Sequence, residues 1–115
     1  MNSTIKQRWV AALRSGEYAQ GKSVLRNQDN QYCCLGVLTD LYAKEFNISW
    51  KYDDDNNSYA LTNEAFGSST YLIPSVIQWA ELSSFNPIVQ DFTLSYMNDS
   101  GKTFEEIADA IEKYL

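Results

Sequence analysis

Histidine is absent from all 115 residues. That absence removes the Cys–His and Ser–His pairs that activate most protein nucleophiles. It also removes the commonest ligand of zinc and iron sites. Cysteine is scarce, with two residues adjacent at Cys33 and Cys34. A disulfide between sequence neighbours is strained, so the pair is expected as two thiols in a reducing compartment. No apolar run approaches the roughly 20 residues of a membrane-spanning helix, and the N-terminus lacks a signal-peptide pattern. A cytoplasmic protein without membrane contact is expected. Cations are few: 9 Lys and Arg against 15 Asp and Glu leave a net charge of −6. Phosphate backbones demand clustered cations, so direct nucleic-acid binding is disfavoured.

What is present suits one domain over residues 1–115, long enough to bury about two thirds of the surface its unfolded chain exposes. Aromatic residues make up 14% of the chain, including eight Tyr and three Trp, a content that either a core or an interface would explain. The longest apolar run surrounds the two cysteines. From Cys34 its apolar side chains fall at helical spacing (Cys34, Leu35, Leu38, Leu41, Tyr42, Phe46) and predict one central helix to about residue 46. Gly36 in its first turn weakens the helix, which a close helix crossing would justify. Asp40 lies off the stripe, free to reach an arginine or a loop amide.

Around that helix, residues 3–15 read as a first helix, capped by Asn2 or Ser3, with Ile5, Trp9, Ala12 and Leu13 inward and Gly16 as its stop. Residues 23–26 and 30–33 flank Asn27-Gln28-Asp29 like a β-hairpin. Residues 48–52, 58–62 and 70–73 suggest further short strands, with Asp53 to Asn57 a solvated hairpin tip lacking the spacing of a calcium loop. Pro74 opens a short helix over 74–82. Residues 83–91 read as a loop and 92–97 as a short helical or irregular segment. Thr103 and Glu106 form a capping box ahead of a last helix with Phe104, Ile107, Ala108, Ile111, Tyr114 and Leu115 on one face. Four helices with a short antiparallel sheet make an α+β domain.

Four groups could carry chemistry. A thiol at a strand-to-helix junction can be activated by the helix N-terminus, but its base would have to be a carboxylate or a lysine, and two small buried side chains explain the pair more simply. Asp40, Glu64, Asp91 and Asp99 could supply a carboxylate pair, although their spacing does not show convergence. The turn Asn98-Asp99-Ser100-Gly101 precedes a capped helix and could receive an anion on free amides. The stretch from Gly16 to Lys22 brings glycines, Tyr18, Gln20 and nearby cations together without the spacing of a phosphate-binding loop. Lys6, Arg14, Lys22 and Arg26 make this quarter locally basic. A solvated or ion-paired face is the plain reading of that charge; a site for a small anionic ligand is the sharper one, with tyrosine to stack and arginine to pair. Its candidate binding residues are Arg14, Tyr18, Gln20, Lys22, Arg26, Asn98 and Asp99.

Three blocks carry a resemblance. They are Trp9…Ala12-Leu13…Ser15-Gly16…Tyr18…Gln20-Gly21…Leu25, then Cys33-Cys34-Leu35-Gly36-Val37-Leu38…Asp40-Leu41, then Met97-Asn98-Asp99…Gly101…Phe104…Glu106-Ile107-Ala108-Asp109…Ile111-Glu112. A weaker one is Leu72…Pro74…Val76…Trp79-Ala80. Over nearly the whole chain apart from residues 47–71, the sequence resembles a family of small, largely uncharacterised proteins of tailed phages and some bacteria. Members often carry a further cysteine where Thr39 stands here. The resemblance implies no activity. It implies an accessory phage protein, placed in the host cytosol and dispensable for building the virion, of a kind that often counters host defence. Some such proteins sequester nucleotide immune signals and others block a defence protein. Two functions follow as expectations: a non-catalytic protein that sequesters a small anionic nucleotide-like ligand, or a protein–protein interaction module that inhibits a host or defence protein. A homo-oligomer is expected, because pockets often form between protomers; no cofactor and no metal are expected.

Overall fold

The computed structural model describes residues 1–62 and 68–115. Helix α1 (Ser3–Arg14) begins where the Asn2 side chain accepts a hydrogen bond from the Ile5 amide, 3.0 Å away. It buries Ile5, Trp9, Val10 and Leu13. Helix α2 (Cys34–Glu45) lies at the centre, in contact with α1 and with two shorter helices, α3 (Pro74–Ala80) and α4 (Leu94–Asp99). Helix α5 (Phe104–Tyr114) packs along α1 and starts with the complete Thr103–Glu106 capping box. Two two-stranded antiparallel hairpins sit at the periphery. β1 (Lys51–Asp53) pairs with β2 (Ser58–Ala60), placing Tyr52 opposite Tyr59; β3 (Ile88–Val89) pairs with β4 (Phe92–Thr93). The α+β class therefore holds, with five helices among the described residues. The radius of gyration, 12.8 Å, matches the value of about 13 Å for a compact chain of this length. None of these helices is long and apolar enough to cross a membrane.

Several sequence expectations change. The central helix has no single apolar stripe: every residue from 34 to 40 is buried, while Phe46 beyond its C-terminus is 51% exposed. The nearest neighbour of Gly36 is the loop at Leu25. A Cβ there would sit 1.8 Å from the Leu25 carbonyl oxygen, so it is the loop backbone that needs the missing side chain. Residues 23–33 do not form a regular hairpin. The chain doubles back, with Arg26 bridging Tyr32, the Asn27 amide donating to Gln31 O and the Cys33 amide to Leu25 O, but the Leu25 amide turns away to Ser69 O. Ser23, at φ +74°, breaks the extended run before it. Residues 70–73 form no strand; the Leu72 amide donates to the Phe85 carbonyl instead. The expected loop at 83–91 contains β3, whose turn to β4 places Gln90 at φ +58°.

One hydrophobic cluster joins all the helices. At its centre Trp9 is fully buried, and its indole N–H donates to the Cys34 carbonyl at 3.0 Å. That bond fixes the N-terminal helix against the start of the central one.

Candidate functional site

The three sequence blocks meet in space through a polar strap centred on the buried Asn98. Asn98 has no exposed surface, yet its carboxamide is fully satisfied. Its oxygen accepts from Gln20 Nε2 at 2.9 Å and from the Cys34 amide at 3.2 Å; its nitrogen donates to the Gly21 carbonyl at 2.8 Å and to Asp99 Oδ1 at 3.1 Å. Gln20 extends the strap, donating also to the Lys102 carbonyl and accepting from the Phe104 amide. Asp99 accepts from the Ser23 amide at 3.0 Å. Gln20, Asn98 and Asp99 are thus brought together, with these polar atoms committed to the protein itself.

Tyr18 and Arg26 enter a second cluster assembled from three parts of the chain. The loop before α2 supplies Tyr18, Arg26 and Tyr32; α2 supplies Asp40 and Lys44; the first hairpin and its approach supply Trp50 and Tyr59. Backbone pairing sets the arrangement, because the Tyr59 amide donates to the Arg26 carbonyl at 2.9 Å and so lays the β1–β2 hairpin against the loop. The Arg26 guanidinium lies 4.2 Å from the Tyr59 ring centre, 5.4 Å from that of Tyr32 and 5.7 Å from that of Trp50. Tyr32 stands edge-on to both Tyr18 and Trp50. Contacts of this kind contribute roughly 0.5–2 kcal/mol each and hold the cation in one place.

Beneath the rings sits Asp40, a nearly buried carboxylate. It accepts from the Tyr18 hydroxyl at 2.6 Å and the Trp50 indole N–H at 2.9 Å, with the Lys44 ammonium 3.2 Å away. Burial alone would raise its pKa. The hydrogen bonds from Tyr18, Trp50 and Lys44 more than offset that, and the carboxyl is held below its ordinary value. The same contacts act on the partners. Burial first, then the bond to Asp40, pushes the Tyr18 phenol up to about 12; bonds to Tyr18 and Asp40 raise Lys44 to about 12.

The cations differ sharply in how they are matched. Arg14 stands apart from this cluster, clamped by Glu105, Asp109 and Glu112 on α5 at 3.4, 2.6 and 3.2 Å. Arg8 pairs with Glu45 and Lys102 with Glu106. Lys22 is exposed and makes no ion pair among the described residues. Arg26 likewise has no carboxylate partner among them; its hydrogen bonds go to the Asn30 carboxamide oxygen, from Nε at 3.1 Å and Nη2 at 2.7 Å.

The other chemical options take separate places. Cys33 and Cys34 are buried thiols; burial pushes Cys33 up to about 11 and Cys34 well above its ordinary value. A protonated thiol is a poor nucleophile at neutral pH. Asp40 and Asp99 serve different partner sets, Asp91 is exposed beside the β3–β4 turn, and Glu64 lies outside the described residues. The Asp53 carboxylate binds the Asp55 amide and the Asn56 side chain within its own turn. No three potential metal-ligating side chains group together among the described residues.

Sequence reading missed Tyr32, Lys44, Trp50 and Tyr59 as members of the cluster. The available signal was the crowding of aromatics between residues 50 and 59; what it lacked was the pairing of that hairpin with Arg26. No curated protein and no solved structure matches the chain. The model of the family described as "Domain of unknown function (DUF8296)" matches residues 1–115, and the chain belongs to that family.

Proposed function

We propose that this protein is a non-catalytic receptor that captures a small anionic, nucleotide-like ligand at the Arg26 cluster. In the phage setting implied by the resemblance, capture would withhold a signal from host defence. The observation that carries the reading is the state of Arg26. Its charge is held over Tyr59 between further rings and meets no carboxylate among the described residues, whereas Arg8 and Arg14 are each ion-paired. A guanidinium kept rigid by stacking can pair with a phosphate at little further entropy cost, and neighbouring tyrosine and tryptophan faces suit a flat base. The buried, protonated thiols and the separately engaged carboxylates support binding without turnover.

Titration calorimetry with AMP, cyclic AMP and ADP-ribose tests this. Saturable binding of at least one is expected, weakened by about tenfold or more in Arg26→Ala. Arg14→Ala, whose charge is already spent on α5, should leave the affinity in place. A blank across all three nucleotides overturns the reading, as does equal binding by Arg26→Ala.

A further inference from the structure

A second face, remote in chemistry from the Arg26 cluster, presents large apolar side chains to the surface. Ile88, Phe92 and Tyr96 are 64%, 53% and 57% exposed. They come from the β3–β4 hairpin and the first turn of α4. Phe92 and Tyr96 stack nearly parallel, with ring centres 5.4 Å apart and planes 15° from one another. They do not belong to the central hydrophobic cluster. With Val89 and Met97 they line a groove of about 670 Å³, whose far wall is the exposed side of α5, carrying Glu106 and Asp109.

That wall is acidic. Glu105, Asp109 and Glu112 share a single guanidinium, that of Arg14. Lys102 is the cation among the groove residues, and its ammonium already lies 3.7 Å from Glu106. The groove therefore couples an exposed aromatic floor to a lining in which two carboxylates, Glu106 and Asp109, stand against one cation, Lys102, with Glu105 and Glu112 nearby on the same helix. A second copy of this chain would bring the same surplus against itself, and a nucleic acid or an anionic membrane would be repelled. The complementary occupant has apolar side chains beside cations.

We propose that this groove docks a basic amphipathic segment of a partner protein. An aliphatic side chain of that segment sits on the Phe92–Tyr96 stack and against Met97. Its lysine or arginine side chains face Glu106 and Asp109. The site is independent of the Arg26 cluster, so loss of one function leaves the other.

The test uses the full chain labelled with ¹⁵N and three short synthetic peptides. One is a helical peptide with leucine on one side and arginine on the other; the second replaces arginine by glutamate; the third is a scramble of the first. The leucine–arginine peptide should shift the amide resonances of Phe92, Tyr96, Lys102 and Asp109. Its affinity should fall by about tenfold or more in the double variant Phe92→Ser/Tyr96→Ser. It should fall several-fold in Asp109→Asn and on adding salt. The exposed positions of Phe92 and Tyr96 keep the fold in the double variant, which its remaining spectrum verifies. Failure of this peptide to bind overturns the proposal. So do equal binding by the scramble or the glutamate peptide, shifts confined to other faces, and sedimentation showing a dimer that the double variant abolishes.

Discussion

Asn98 shows how much one side chain can hold when all of its hydrogen-bonding capacity is spent inside. Two donors and two acceptor positions of a single carboxamide connect the loop at Gln20 and Gly21 to the first amide of α2 and to Asp99. Replacement by alanine would leave the Cys34 amide and the Gly21 carbonyl buried without partners. Each such orphan costs about 1–3 kcal/mol. Asn98→Ala should lower unfolding free energy by about 3 kcal/mol or more, read as a drop in the urea midpoint with an unchanged slope. Asn98→Asp should not rescue it, because the donor to Gly21 is lost and a charge is placed beside Asp99. An Asn98→Ala protein as stable as the parent would remove the strap from the account of the fold. The sequence marked Gln20, Asn98 and Asp99 as polar residues worth notice, but carboxamides serve a ligand and a buried backbone equally well. Only the positions of Gly21 and Cys34 show which polar atoms they meet.

At the scale of elements, legibility followed local chemistry. The ends of α1 and α5 were readable because their caps are local: Asn2 reaches Ile5, and Thr103 and Glu106 satisfy each other within one turn. The stretch from 17 to 33 was not, because its hydrogen bonds leave the neighbourhood for Ser69, Ser58 and Tyr59. The candidate cluster inherits that difficulty, since Arg26 and Tyr59 are adjacent only through such a pairing. Gly36 is where this loop presses hardest on a helix. Alanine would ordinarily strengthen a helix by about 1 kcal/mol over glycine. Here its Cβ would lie 1.8 Å from Leu25 O and 2.7 Å from Leu25 C, both backbone atoms that cannot rotate away. Gly36→Ala should therefore destabilise by several times the propensity gain, about 3 kcal/mol, and calorimetric melting checks the sign. A higher melting temperature would mean that loop and helix separate freely.

For the molecule as a whole, the missing histidine shapes the response to pH. No side chain has an ordinary pKa between the carboxylates and the thiols, so stability should be level from about pH 5 to pH 8. On the acid side, the folded Asp40 carboxyl lies below its unfolded value. Its contribution is complete above the unfolded pKa of about 4 and is lost as pH falls through the folded one. On the alkaline side the buried groups share one sign. Cys33 is raised to about 11 and Tyr18 to about 12, and Cys34 and Tyr32 are raised as well. Each favours its neutral form in the fold, so its contribution is present below the unfolded values, near 8.5 for cysteine and 10 for tyrosine, and fades as pH climbs through the folded ones. Urea midpoints measured from pH 3 to pH 11 should therefore trace a plateau with two falling edges. The alkaline edge should move up in pH in Cys33→Ala/Cys34→Ala, because those two thiols no longer need to ionise, even though the cavities lower the plateau. An alkaline edge in the same place without the thiols would mean that Tyr18 and Tyr32 alone set it. A slope near neutral pH would expose a titrating group that neither the composition nor the buried charges provide.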